Sequence, residues 1–108
     1  MVQGRGAVVV LTTTVASEAE ADALADAALK ARLAACVQVT AIRSAYRWQG
    51  GVERSEELRC DFKTTEDKMA ALAELLSARH AYDEPELIAT RTVWSSEGYA
   101  AWVAAETA

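Results

Sequence analysis

The chain has 108 residues, 52% of them hydrophobic, which supports one core and burial of roughly two-thirds of the unfolded surface. A net charge of −5 without any Lys/Arg cluster excludes the basic footprint that nucleic-acid backbones require, and one Pro with five Gly excludes a long disordered tract. The longest early apolar run, residues 7–11, falls far short of the ~20 residues that span a bilayer and of a secretory leader, so neither membrane nor nucleic acid is an expected partner and the cytoplasm is the expected compartment.

Residues 1–6 carry two glycines and no periodicity and read as a frayed terminus of a single domain over residues 1–108. Residues 7–14 (AVVVLTTT) are β-branched and start without alternation, the mark of a central strand covered on both faces. Ser17 with Glu20 forms a capping box that opens an Ala/Leu-rich helix running to about Leu33, with Leu24, Ala28 and Ala31 on one face.

Val37, Val39 and Ala41 alternate with Gln38 and Thr40, but the large apolar residues then shift to Ile42, Tyr46 and Trp48. If Gly50-Gly51 is a two-residue turn, Cys60 faces Ala41, and Val37, Val39 and Ala41 share a core face with Leu58, Cys60 and Phe62. Ile42, Tyr46 and Trp48 then lie on the opposite face with Glu53, Ser55, Glu57, Arg59 and Lys63, beyond the reach of the domain's own helices. The same register leaves Cys36 about four residues from the position facing Cys60. At ~3.3 Å per residue that is roughly 13 Å, past the ~7 Å limit of a disulfide, and two reduced thiols fit a cytosolic protein.

Thr64 or Thr65 caps a second helix in which Met69, Leu72, Ala73 and Leu76 follow helical spacing and which ends near His80. Residues 82–85 form a loop because Pro85 biases Glu84 away from helical angles. Residues 86–93 read as a last strand, and Ser95 or Ser96 opens a short helix carrying Tyr99, Trp102 and Val103. With right-handed crossovers this order gives an α+β, ferredoxin-like βαββαβ sandwich with an extended β2-β3 hairpin and an extra C-terminal helix. Its helices cover one face of an antiparallel sheet, its first strand is central, and its other face is bare. Burying a few large residues at ~1.5–3 kcal/mol each outweighs a surface ion pair, so a homo-oligomer is expected to cover that face, with Tyr46 and Trp48 as assembly residues.

His80, the single histidine, sits at a helix C-terminus, where an imidazolium would meet unpaired carbonyls and the negative dipole end. Alternatively it is a metal ligand or an acid/base group. The soft-metal donors are His80, Cys36 and Cys60, and Cys60 reads as a small core hydrophobe, so only a site shared between subunits could close. Glu53, Glu56 and Glu57 read as a solvated patch, and Asp83, Glu84 and Glu86 as loop polarity. No nucleophile elbow, phosphate loop or zinc-helix motif is present, so the chain is not expected to be an enzyme.

Leu33-Ala34-Ala35-Cys36, Tyr46 and Trp48 before a Gly turn, Glu57, Phe62-Lys63-Thr64, His80-Ala81-Tyr82 with Pro85-Glu86, and Tyr99 and Trp102 together resemble the CutA family of divalent-cation-tolerance proteins over nearly the whole chain. The resemblance implies a tight homotrimer related in architecture to the PII signalling proteins, with hairpins that extend the sheet across subunit boundaries. It also implies a link to copper and other divalent ions, with copper as the one cofactor to expect. Copper-binding members can carry a cysteine at the end of the first strand and a His-His pair before a Pro-Tyr motif. This chain has Thr12 or Thr13, Arg79-His80 and Ala81 there, so the implied metal binding is weak, near His80, with Cys36 assisting if assembly brings it close. A second reading is a PII-like, small-ligand-sensing trimer whose intersubunit clefts use Trp48, Glu57, Lys63 and Tyr82. A third is a trimeric scaffold that anchors another protein.

Overall fold

A computed structural model describes residues 8–108, so the expected frayed terminus, residues 1–6, lies outside the described residues. The elements are β1 (Val9–Val15), α1 (Glu18–Lys30), β2 (Cys36–Trp48), β3 (Gly51–Thr64), a 3-10 turn (Glu66–Lys68), α2 (Met69–Arg79), β4 (Ile88–Arg91) and α3 (Glu97–Glu106). The sheet is antiparallel in the order β2-β3-β1-β4, the ferredoxin-like arrangement, with β1 in its interior.

Each boundary has a local cause. Ser17 Oγ accepts from Glu20 N–H at 3.2 Å while Glu20 Oε1 accepts from Ala16 N–H at 2.9 Å, a reciprocal cap that starts α1. The helix stops at Lys30, short of Leu33, because Arg32 turns into the left-handed region at φ 58°. From that corner the Arg32 guanidinium donates to the carbonyls of Ala105 and Ala108 at 2.9 and 3.2 Å, capping the end of α3. β4 is shorter than the expected 86–93 because threonine side chains take the backbone groups at its ends. Thr13 Oγ1 donates to Glu86 O, and Thr92 gives both its N–H and its hydroxyl to Val8 O. Glu66 and Arg91 form a two-bond ion pair, 2.7 Å on both arms, that ties β4 to the 3-10 turn. The pair is fully exposed; it holds Glu66 below the usual carboxylate range, so its contribution is present at neutral pH and is lost as pH falls through the folded-state value.

The hairpin register corrects the sequence expectation. The turn residues are Gln49 and Gly50, at φ 49° and 82°, and Gly51 already pairs with Trp48. Positive φ at both turn positions matches the right-handed twist of the flanking strands, and the chain places that pair at Gln49-Gly50, one residue before Gly50-Gly51. Cys60 therefore faces Val39, not Ala41. The slip is two residues, one full strand period, so the assignment of side chains to faces is unchanged.

The main core lies between the sheet and the α1/α2 layer and contains Leu11, Val15, Leu24, Ala28, Cys60, Phe62, Leu72 and Leu76. Its reach ends part-way across the sheet: Phe62 and Cys60 are sealed, whereas Val39 and Ala41 on β2 are exposed. The opposite face is not wholly bare. Val8, Ala100 and Val103 form a second small core with Ala35 against it, and Lys63 Nζ stands 5.8 Å from the centroid of the Tyr99 ring. So α3 covers one end of that face, a packing that the pattern of the third helix did not reveal. The radius of gyration, 14.7 Å, exceeds the ~13 Å of a compact chain of this length, and the longest dimension is 49 Å.

Candidate functional site

The structure brings Tyr46, Trp48, Glu57 and Tyr82 together on the face that the α1/α2 layer leaves open. Even-numbered β2 residues and odd-numbered β3 residues share that face, so Tyr46 lies opposite Glu53 and Ile42 opposite Glu57. Trp48 is 58% exposed and Tyr46 is also exposed. The loop after α2 crosses beneath them, and Tyr82 Oη donates to Glu57 Oε2 at 3.3 Å. Burial, then the Glu57 charge and hydrogen bond, push the Tyr82 phenol above its ordinary pKa, so it stays a donor.

His80 sets the position of that loop. Its Nδ1 accepts from Tyr82 N–H at 3.0 Å, which leaves the ring proton on Nε2. Nε2 then donates to Thr14 O at 3.0 Å and lies 3.1 Å from Thr13 Oγ1, whose hydroxyl in turn donates a hydrogen bond to Glu86 O. The ring also contacts the Tyr82 ring at a centroid distance of 5.0 Å. Both nitrogens are thus committed to joining β1 to the loop, in place of the dipole contact considered from the sequence.

Tyr46, Trp48, Glu57 and Tyr82 border a cavity of about 790 Å³, whose other walls are Thr14, residues 43–45, Asp83, Glu84 and Glu86. Sequence reading took the last three as loop polarity. The one signal for their placement is Pro85, which disfavours helical angles at Glu84 and so keeps the acidic residues in the loop that follows the histidine. Lys63 is elsewhere: it is six β3 positions from Glu57, roughly 20 Å, and its Nζ donates to Gln38 Oε1 at 2.9 Å. Within one chain Lys63 therefore does not share the cavity.

The two expected metal donors are also apart. Cys36 pairs with Lys63 and, through it, with Val10, whereas His80 bonds Thr14, four strand positions further along, roughly 13 Å. No group of three or more His, Cys, Asp or Glu among the described residues converges as a metal ion requires. A metal at Nδ1 would have to displace the Tyr82 N–H. The donor set of one chain does not fit a closed copper site. Both cysteines are free, and burial raises the Cys60 thiol above its ordinary pKa.

A small ferredoxin-like domain with a projecting hairpin and an aromatic, acidic hollow on its open face is the class of protein these features define. Residues 9–106 match the family described as CutA1 divalent ion tolerance protein, and the chain belongs to that family. The divalent-cation tolerance protein CutA of Thermus thermophilus is 38% identical over 95 residues, which are 87% of this chain and 92% of that one. The structure of CutA from Synechococcus elongatus superposes with a TM-score of 0.93 at 40% identity, covering 97% of this chain and 94% of the other. A structure of the same cyanobacterial protein complexed with a Bis-Tris molecule gives 0.87 at 38% identity, covering 97% of each chain. No helix among the described residues is long and apolar enough to cross a membrane.

Proposed function

We propose that the chain acts in divalent-cation tolerance as a homotrimer of PII-like architecture, without enzymatic activity of its own. The observation that carries this is the pair of unlike apolar surfaces at the two edges of the sheet. At the β2-β3 end Tyr46 and Trp48 are exposed on one face of the hairpin and Val52 on the other, and along and beyond β4 Ile88, Val93 and Trp94 are exposed, Val93 to 90%. Contact between the two unlike patches is head-to-tail, and head-to-tail contacts close into rings where the rotation between copies permits. Three copies is the number that the family resemblance supports. The open hydrogen-bonding edges of β2 and β4 favour the same contact, since an unpaired edge is a ready template for another strand.

Copper or another divalent ion is held weakly and between subunits, where Cys36 of one chain can approach donors it does not meet in its own. The free thiols of Cys36 and Cys60 support a reducing compartment such as the cytosol. Copper titration of the metal-free protein tests this: binding in the low micromolar range that His80→Ala and Cys36→Ser each weaken supports it. A curve unchanged in both variants removes these residues as ligands.

A second reading, small-ligand sensing, is favoured by the cavity beside Trp48, Glu57 and Tyr82, whose 790 Å³ lies within the ~300–1,000 Å³ of small-molecule sites. The Bis-Tris complex of the cyanobacterial relative is consistent with it. Stabilisation by a metabolite panel and not by metals would select this reading. Capture of a stable protein partner insensitive to both would select a scaffold.

A further inference from the structure

We propose that Arg59 and Asp61, in the middle of the open sheet face, are the charged centre of the contact between copies, with the guanidinium of Arg59 in one copy pairing with the Asp61 carboxylate of the next. This rests on the reading that copies of the same chain cover that face, and it supplies the groups that meet there. Residues directly opposite each other in a sheet share a face, so Arg59 and Asp61 stand between Thr14 and Thr12 on β1 and Thr40 and Gln38 on β2. β3 is an interior strand, which puts the pair at the centre of the surface instead of at its rim.

Within the chain the two charges are partly satisfied. Thr12 Oγ1 donates to Asp61 Oδ1 at 2.6 Å, and Arg59 Nε donates to the same oxygen at 3.3 Å. Asp61 is thereby held in place with its side chain 20% exposed, while that of Arg59 is 51% exposed. Among the described residues, Asp61 Oδ2 and the terminal amino groups of the guanidinium are left for an outside partner. The charges to either side on the strand are engaged at home, Glu57 by the Tyr82 hydroxyl and Lys63 with Gln38. Signs along this face of β3 alternate through Glu57, Arg59, Asp61 and Lys63, at roughly 6.6 Å per step. A second copy carries the same alternation, so the surface is complementary to itself in charge. A purely acidic or basic partner would leave one of the two central charges unpaired, and an apolar one would leave the spare groups of both, which burial penalises heavily. Head-to-tail contact, the kind that the unlike sheet edges favour, brings Arg59 of each copy to Asp61 of its neighbour and repeats the pair round the ring.

Native mass spectrometry of the full-length protein over a dilution series tests the pairing with two charge reversals, Arg59→Asp and Asp61→Arg, whose chains differ in mass. Each reversal breaks the pair within its own chain and sets like charges across the contact, so each variant alone is expected to dissociate at a concentration about tenfold or more above that of the parent. Mixing the two leaves both internal pairs broken but opposes unlike charges between chains. Assemblies containing both variants are therefore expected to outlast those of either variant alone on dilution, a rescue that a role confined to one chain does not give. Parent-like assembly of both single variants, or mixed assemblies no more stable than the unmixed ones, overturns the pairing and leaves the homo-oligomer standing. A monomeric parent overturns both. Where circular dichroism shows that a reversal fails to fold, Arg59→Gln and Asp61→Asn take its place. Each is then expected to weaken assembly, with the double variant no weaker than the worse single one, and additive losses overturn the pairing.

Discussion

His80 illustrates how a single side chain can be conspicuous in a sequence and still have a role that its neighbours decide. As the chain's lone imidazole it invites a metal or acid/base role, yet its ring spans two elements, accepting from Tyr82 N–H and donating to Thr14 O. Replacing it with Ala strands a partly buried carbonyl and an amide, so His80→Ala should cost about 1–3 kcal/mol of stability in a denaturant titration. A variant as stable as the parent would remove the strut. The two cysteines separate in the same physical way. Cys60 is sealed in the core with its thiol shifted upward, whereas Cys36 is half-buried at the start of β2. Brief treatment of the native protein with iodoacetamide should therefore modify Cys36 and spare Cys60, read by peptide mass spectrometry; equal labelling would mean that the core opens readily.

At the scale of elements, the hairpin is where sequence reading both succeeded and slipped. The faces of β2 and β3 were legible because side chains alternate with period two, and an error of two residues cannot move a side chain across the sheet. The turn itself was not legible, because Gly-Gly outranks Gln-Gly as a turn signal while the chain places the left-handed pair one residue earlier. Gln49 is consequently a non-glycine residue at φ 49° with no special aptitude for it. Gln49→Asn supplies a side chain that tolerates this region and should stabilise the hairpin by about 0.5–1 kcal/mol, part of the ~1–2 kcal/mol left-handed penalty. A loss of stability would contradict the turn assignment. The packing of α3 on the second face was hidden for a different reason. The β-branched run of β1 signals cover on both sides without naming what provides it, and part of that cover is Val103 and Ala100 at one end.

For the whole molecule, the strand order and the central place of β1 followed from the order of elements and the handedness of crossovers, and family membership now stands on the match across residues 9–106. The cavity was not legible: sequence spacing could not say that the acidic loop folds under the hairpin, since the bonds from His80 that hold it there cross 66 and 67 residues of chain. Assembly is the level at which the exposed aromatics matter most. Burying Trp48 against a neighbouring copy should contribute ~1.5–3 kcal/mol per contact, so Trp48→Ala is expected to dissociate the oligomer at lower denaturant concentration than the parent and before any loss of ligand binding. A Trp48→Ala variant that stays assembled while losing a ligand would reverse that order of roles.

Native mass spectrometry of the purified full-length protein bears most directly on the claim that the open face and the two sheet edges are built for copies of the same chain. The expected spectrum is dominated by three chains of 11.6 kDa each. A spectrum dominated by monomer at micromolar concentration, with Trp48 and Trp94 left in water, would contradict it.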